Sequence, residues 1–170
     1  DEQKDFLIQE PWLDFYIIKE GEYSLLKLVQ HFMYKKESLD KVPNLVYLKK
    51  DEICTSEKVE RIMDLTLIPS PYLSGRLDNF LDGKLMPVIQ TNRGCPFSCT
   101  FCTEGQTYWS KVKRKEEKLI TGEIEWISRS ITNPKNNNSR NDLLIADSNF
   151  GMFNEDIKTC EIIANQQKTV

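Results

Sequence analysis

Three of the chain's five cysteines fall within eight residues: Cys95, Cys99 and Cys102, in the run Thr91-Asn92-Arg93-Gly94-Cys95-Pro96-Phe97-Ser98-Cys99-Thr100-Phe101-Cys102. No other feature narrows the fold as far. A disulfide across so short a loop would staple little, and the odd total is a poor disulfide framework. Clustered thiols in a chain whose first residues, Asp1-Glu2-Gln3-Lys4, show no signal-peptide pattern point to metal and to a reducing cytoplasm. Three and then two intervening residues let one loop wrap and present three thiolates to one small inorganic centre. A closed structural zinc site takes four ligands, and an ordinary ferredoxin holds its iron–sulfur cube by four cysteines. Only three are local here. On a cube they would leave one iron open, and an open metal position is where chemistry can occur.

The flanking pattern places that loop. Residues 86–90 (MPVIQ) read as a strand running into it. Beyond it, Ile120, Ile124, Ile127 and Ile131 recur at i, i+4, i+7 and i+11, the spacing of one helix face. Past the polar stretch 132–141, residues 143–146 (LLIA) read as a second buried strand. Asn154, Glu155 and Asp156 then open a last helix with Ile157, Cys160 and Ala164 on one face. Two strand–helix units in succession predict a parallel sheet or barrel.

Upstream, residues 13–18 (LDFYII) predict a strand buried on both faces. The turn Lys19-Glu20-Gly21-Glu22 follows, and Leu25, Leu28, Val29 and Phe32 mark an amphipathic helix. That order suggests a doubly wound α/β sheet. Residues 44–59 predict a small hairpin with weak turn chemistry at Lys49-Lys50-Asp51. Pro69 and Pro71 make 64–73 an extended connection. The chain therefore reads as an α/β piece of a longer protein in three parts. Residues 1–36 are the C-terminal part of a doubly wound domain, 37–85 are a linker with the hairpin, and 86–170 are the first β/α units of a partial barrel.

Charge excludes some functions. With 23 Lys and Arg against 26 Asp and Glu, the net charge is −3, without the basic excess that nucleic acid or an anionic membrane demands. The run Lys111-x-Lys113-Arg114-Lys115 reads as a solvated helix start. No apolar stretch approaches the roughly 20 residues of a membrane span.

Cys95-x3-Cys99-x-Phe101-Cys102, directly after a strand, resembles the cluster loop of the radical S-adenosylmethionine enzymes. Arg93-Gly94-Cys95-Pro96-Phe97, Ile68-Pro69-Ser70-Pro71-Tyr72 and the segment Asp14 to Glu22 resemble the subset that carries an N-terminal cobalamin-binding domain. Lys19 departs from the glycine usual at its turn. The resemblance implies that Cys95, Cys99 and Cys102 bind three irons of a 4Fe-4S cluster. The fourth iron is chelated by the amino and carboxylate groups of S-adenosylmethionine. Reductive cleavage then yields a 5′-deoxyadenosyl radical that abstracts hydrogen from a small-molecule or peptide substrate, with flavodoxin or ferredoxin as reductant. Methyl transfer is frequent in the subset, and ring contraction and cyclisation occur there. Cobalamin itself is implied only by the tail of its domain.

By the same resemblance, Phe101 lies near the adenine. Asp147 and Asn149 stand where the family often has a Gly-Gly-Glu-like segment for the amino group; here the segment is Asp147-Ser148-Asn149-Phe150-Gly151. Beyond the cluster ligands no catalytic residue is identified. Each residue also has a plainer role: packing for Phe101, loop capping for Asp147 and Asn149, surface solvation for Arg93, helix-start acids for Glu20 and Glu22. Cys54 and Cys160 read as small buried hydrophobes, and His31 as structural. Two other readings stay open. One is a zinc-stabilised binding module completed by Cys54, His31 or a partner chain, and the other is a simple iron–sulfur electron carrier.

Overall fold

A computed structural model describes residues 2–35, 38–81, 84–132 and 142–167. The chain is mixed α/β and divides into two compact units, residues 1–62 and 63–170.

In the first unit, α1 (Glu2–Gln9), β1 (Phe15–Ile17), α2 (Glu22–Tyr34), β2 (Leu45–Lys49) and β3 (Glu52–Thr55) follow one another. The sheet order is β1-β2-β3 and every pairing is antiparallel, with Phe15 opposite Tyr47 and Ile17 opposite Leu45. The strand expected at 13–18 is present, but a doubly wound sheet requires parallel neighbours, and none pairs with β1 among the described residues. The hairpin takes its edge instead. That hairpin closes through Lys50 and Asp51, with φ of +50° and +62°, a primed two-residue turn whose twist matches its strands. It is thus part of this unit's sheet, whereas the sequence reading set it in a linker spanning 37–85.

Val42, Leu45 and Leu28 form the core of this unit, with Phe15 and Ile17 packed against them. Of the α2 stripe only Leu28 turns inward; Leu25, Val29 and Phe32 are exposed. Lys19 has φ +69°, the left-handed region that explains why a glycine suits that turn. Glu20 is not a helix-start acid. It is buried, and its carboxylate accepts from Arg61 Nε at 3.1 Å and from the Ile62 N–H at 2.8 Å.

The second unit contains β4 (Val88–Ile89), β5 (Asn92–Arg93), β6 (Lys113–Arg114), α3 (Glu117–Ile131), β7 (Leu144–Ile145) and α4 (Asn154–Gln167). β4 and β7 pair in parallel, Val88 opposite Leu144 and Ile89 opposite Ile145, and α3 lies between them in sequence. The strand–helix order predicted from sequence is therefore present as one parallel pair. No third strand joins it among the described residues, so the partial-barrel description goes beyond what this unit displays.

The expected α3 face is the core: Ile120, Ile124 and Ile127 are each at most 3% exposed and pack with Ile89, Tyr72 and Leu81. Burying each such isoleucine contributes about 1.5–3 kcal/mol. Tyr72 comes from the 64–73 stretch expected to be a connection and Leu81 from the end of the 37–85 linker, so both supply core. α4 is turned from its expected orientation: Ile157, Cys160 and Ala164 are exposed, while Asp156 and Thr159 are buried. Among the described residues no helix is long and apolar enough to cross a membrane.

Candidate metal centre

The chain leaves β4 through Thr91 and Asn92, which are 0% and 1% exposed. Polar groups buried this deeply need partners, and Asp147, two residues beyond β7, supplies them. Its carboxylate accepts from the Thr91 N–H at 2.7 Å, the Asn92 N–H at 3.2 Å and Asn92 Nδ2 at 2.9 Å, and from the Thr91 hydroxyl. β5 then pairs antiparallel with β6, Asn92 opposite Arg114 and Arg93 opposite Lys113. The Lys115 N–H extends the ladder to the Thr91 carbonyl at 2.9 Å. Residues 94–112 are therefore a closed excursion whose neck is a two-stranded ladder and whose entrance is pinned by Asp147.

Gly94 turns the chain into this loop with φ +111°, a conformation that side chains strongly disfavour. Cys95 is buried and its N–H donates to the Trp109 carbonyl at 2.9 Å. Cys99 and Cys102 are exposed. The Cys102 N–H donates to the Cys99 carbonyl at 3.2 Å, and the Gly105 N–H to the Cys102 carbonyl at 3.1 Å. A Cβ on Gly105 would lie 2.2 Å from the Cys99 carbonyl oxygen, so this tight turn requires glycine.

The basic run is not a solvated helix start; it forms the neck and ties it down. Arg114 donates to Asp156 at 2.6 Å, to the Glu155 carbonyl at 3.0 Å and to Thr159 Oγ1 at 2.9 Å. Lys115 pairs with Glu123 at 2.9 Å, a carboxylate 1% exposed on α3. Burial alone pushes the Asp156 carboxyl up. The Phe153 N–H, the Arg114 guanidinium and the Gly151 N–H outweigh it and hold the group below the usual carboxylate range.

The three cysteines share one loop. Among the described residues, no three His, Cys, Asp or Glu side chains stand close enough together to hold a single metal ion. A cuboidal cluster sets each thiolate on a different iron and so asks for sulfurs arranged around a body. The loop fits that request: one thiol is fixed at its buried base, two are on its open rim, and a glycine that tolerates no side chain packs against the turn between the latter. Asn149 stands at the base. Cys95 Sγ donates to Asn149 Oδ1 at 3.7 Å, while the buried Nδ2 of the same amide has no partner among the described residues.

The other candidates separate. Phe101, 92% exposed, is not a packing residue. Asp147 has both carboxylate oxygens engaged by Thr91 and Asn92, which is an anchoring role. Arg93 donates through Nε and Nη2 to Gln90 Oε1, each at 3.3 Å. Cys160 is exposed rather than a buried hydrophobe, and Cys54 is half-buried in β3 opposite Tyr47. His31 lies edge-on to Phe32 in α2. Sequence reasoning assigned no role to Thr91, Asn92 or Gly105. The glycine three residues past the last cysteine was the one available signal.

No protein-family model matches the chain. It is 28% identical over 170 aligned positions to the cobalamin-dependent radical SAM methyltransferase TokK of Streptomyces tokunonensis, covering 96% of this chain and 24% of TokK. It is 27% identical over 128 positions to the anaerobic magnesium-protoporphyrin IX monomethyl ester cyclase of Synechocystis sp., covering 74% of this chain and 25% of the cyclase. Among solved structures, the cobalamin-dependent S-adenosylmethionine radical enzyme OxsB, with aqua-cobalamin and S-adenosylmethionine bound, shares its fold. The TM-score is 0.63 at 21% identity, over 99% of this chain and 23% of OxsB. The radical S-adenosylmethionine methyltransferase TsrM from Kitasatospora setae, with cobalamin and a 4Fe-4S cluster bound, aligns with a TM-score of 0.62 at 13% identity over 96% of this chain and 32% of TsrM. The chain thus spans about a quarter of the length of its curated relatives, and those relatives are enzymes.

Proposed function

We propose that this chain, related in sequence and fold to cobalamin-dependent radical S-adenosylmethionine enzymes, carries the cluster loop of such an enzyme, whose reaction is methyl transfer. The observation that supports it is the closed loop itself, with three thiols on one excursion whose neck is fixed by paired strands and by Asp147. Cys95, Cys99 and Cys102 would hold the cluster. A 4Fe-4S cluster there, with S-adenosylmethionine on its open iron, supplies reductive cleavage of the sulfonium.

This chain's own residues do the positioning. Asp147, Thr91 and Asn92 fix where the loop begins, and Gly105 keeps Cys99 and Cys102 on one tight turn. Phe101 offers an uncovered aromatic face between two ligands, suited to stacking a flat ring, and we assign it to the adenine. The amino group of S-adenosylmethionine is not assigned to Asp147, whose oxygens are already engaged. Cobalamin, an external reductant of the flavodoxin or ferredoxin kind and a small-molecule or peptide substrate complete the proposal. Cyclisation is the second reading, favoured by the similarity to the Synechocystis cyclase.

The test is anaerobic reconstitution with iron and sulfide, followed by iron and sulfide analysis and electron paramagnetic resonance. Cys95→Ala, Cys99→Ala or Cys102→Ala should each abolish the cluster, whereas Cys54→Ala and Cys160→Ala should keep it. S-adenosylmethionine should perturb the spectrum, and the dithionite-reduced protein at its full native length should release 5′-deoxyadenosine. Stoichiometric zinc in place of iron after iron-replete anaerobic expression would overturn the proposal.

A further inference from the structure

Asn149 hydrogen-bonds a cysteine sulfur of the loop, and its amide is half used. Its carbonyl oxygen accepts from the Cys95 thiol at 3.7 Å, and its buried Nδ2 has no hydrogen-bond partner among the described residues. A buried donor left unpaired is destabilising. The arrangement suits a protonated sulfur, which can donate. It does not suit a sulfur bound to iron, which has no proton to give and carries negative charge toward the same carbonyl oxygen. Rotation of the amide by half a turn resolves both faults. It removes the oxygen from the sulfur and places the unpaired N–H there, where a hydrogen bond to an anionic acceptor is stronger than a neutral one.

We infer that Asn149 donates a side-chain N–H hydrogen bond to the Cys95 sulfur once that sulfur ligates iron, and so raises the reduction potential of the cluster. The inference rests on the cluster-loop reading above. An N–H bond to a ligating sulfur stabilises the electron-richer, reduced cluster more than the oxidised one, and hydrogen bonds to the sulfurs are among the determinants of cluster potential. Asn149 is in this sense a positioning residue that acts through Cys95. Its place supports the assignment: it lies two residues beyond Asp147, so the segment that pins the loop's entrance also delivers the amide to its buried thiol.

The test is a redox titration of the reconstituted protein without S-adenosylmethionine, read by the resonance of the reduced cluster. Two variants are compared with wild type. Asn149→Leu removes the donor at similar volume, and Asn149→Asp keeps the shape but supplies only acceptors. Both should retain wild-type iron and sulfide, and Asn149→Leu should reduce about tenfold less favourably, a fall of about 59 mV for one electron. Asn149→Asp should fall at least as far. Full occupancy with an unchanged potential in both would overturn the inference while leaving the cluster reading intact. Loss of the cluster from both would also overturn it, since Asn149 would then serve only to hold the loop. A wild-type protein that takes up no iron would instead defeat the cluster reading itself.

Discussion

The Tyr72 hydroxyl takes the place of a neighbouring strand at Val88. It donates to the Val88 carbonyl at 2.6 Å and accepts from the Val88 N–H at 3.0 Å. Burial pushes this phenol up from its ordinary value, so it remains a donor at any physiological pH. A single side chain therefore satisfies both backbone groups on the edge of β4 that β7 does not use. Tyr72→Phe keeps the ring in the core and removes both bonds. We expect a loss of about 1–2 kcal/mol, measured as a lower denaturant midpoint, together with faster hydrogen exchange at Val88.

Asp147 discriminates between anchoring and cofactor contact. Asp147→Ala leaves the buried donors of Thr91 and Asn92 without their acceptor and should cost at least about 3 kcal/mol, with loss of cluster uptake. Asp147→Asn keeps an acceptor and should lower iron content partially. Wild-type iron content with complete loss of 5′-deoxyadenosine release in Asp147→Asn would instead identify a contact with S-adenosylmethionine.

Acid should loosen α4 through Asp156. Its folded value lies below the ordinary one of about 3.9. The stabilisation is therefore complete above about pH 4 and disappears as pH falls through the lower, folded value. Wild type should lose more of its urea midpoint between pH 6 and pH 3 than Asp156→Asn, which has no proton to gain.

The turn at Lys50 and Asp51 forces two side-chain-bearing residues to positive φ. Asn-Gly at these positions suits the same primed turn far better. The double change Lys50→Asn with Asp51→Gly should stabilise the hairpin by about 1 kcal/mol. Hydrogen exchange at the β2 and β3 amides should slow about fivefold.

Local periodicity was legible in the sequence and long-range pairing was not. Ile120, Ile124 and Ile127 announce the buried face of α3 because apolar side chains at helical spacing have nowhere else to go. The cysteine spacing announces a loop for a related reason, since three thiols so close together leave few geometries. α4 misleads because its inward face is polar: Asp156 and Thr159 are buried against Arg114, 42 and 45 residues earlier, and hydropathy alone assigns them to solvent. The antiparallel sheet of the first unit was hidden for a different reason. Residues 13–18 predict a strand but say nothing of its partner, and the hairpin that supplies the partner turns on residues poorly suited to its turn. Asp147 was noticed for its position after a strand, yet its four donors lie 55 and 56 residues upstream.

That separation has a consequence for the order of events on the ribosome. Thr91 and Asp147 are 56 residues apart, and at synthesis rates of about 5–20 residues per second the second follows the first by roughly three to eleven seconds. For most of that interval, from Cys102 onward, all three thiols have been made while the carboxylate that fixes their loop has not. Iron delivered during translation would meet three thiols with no set arrangement, open to oxidation and to competing metals. Loading of the centre therefore belongs after Leu144 and Ile145 have docked beside Val88 and Ile89.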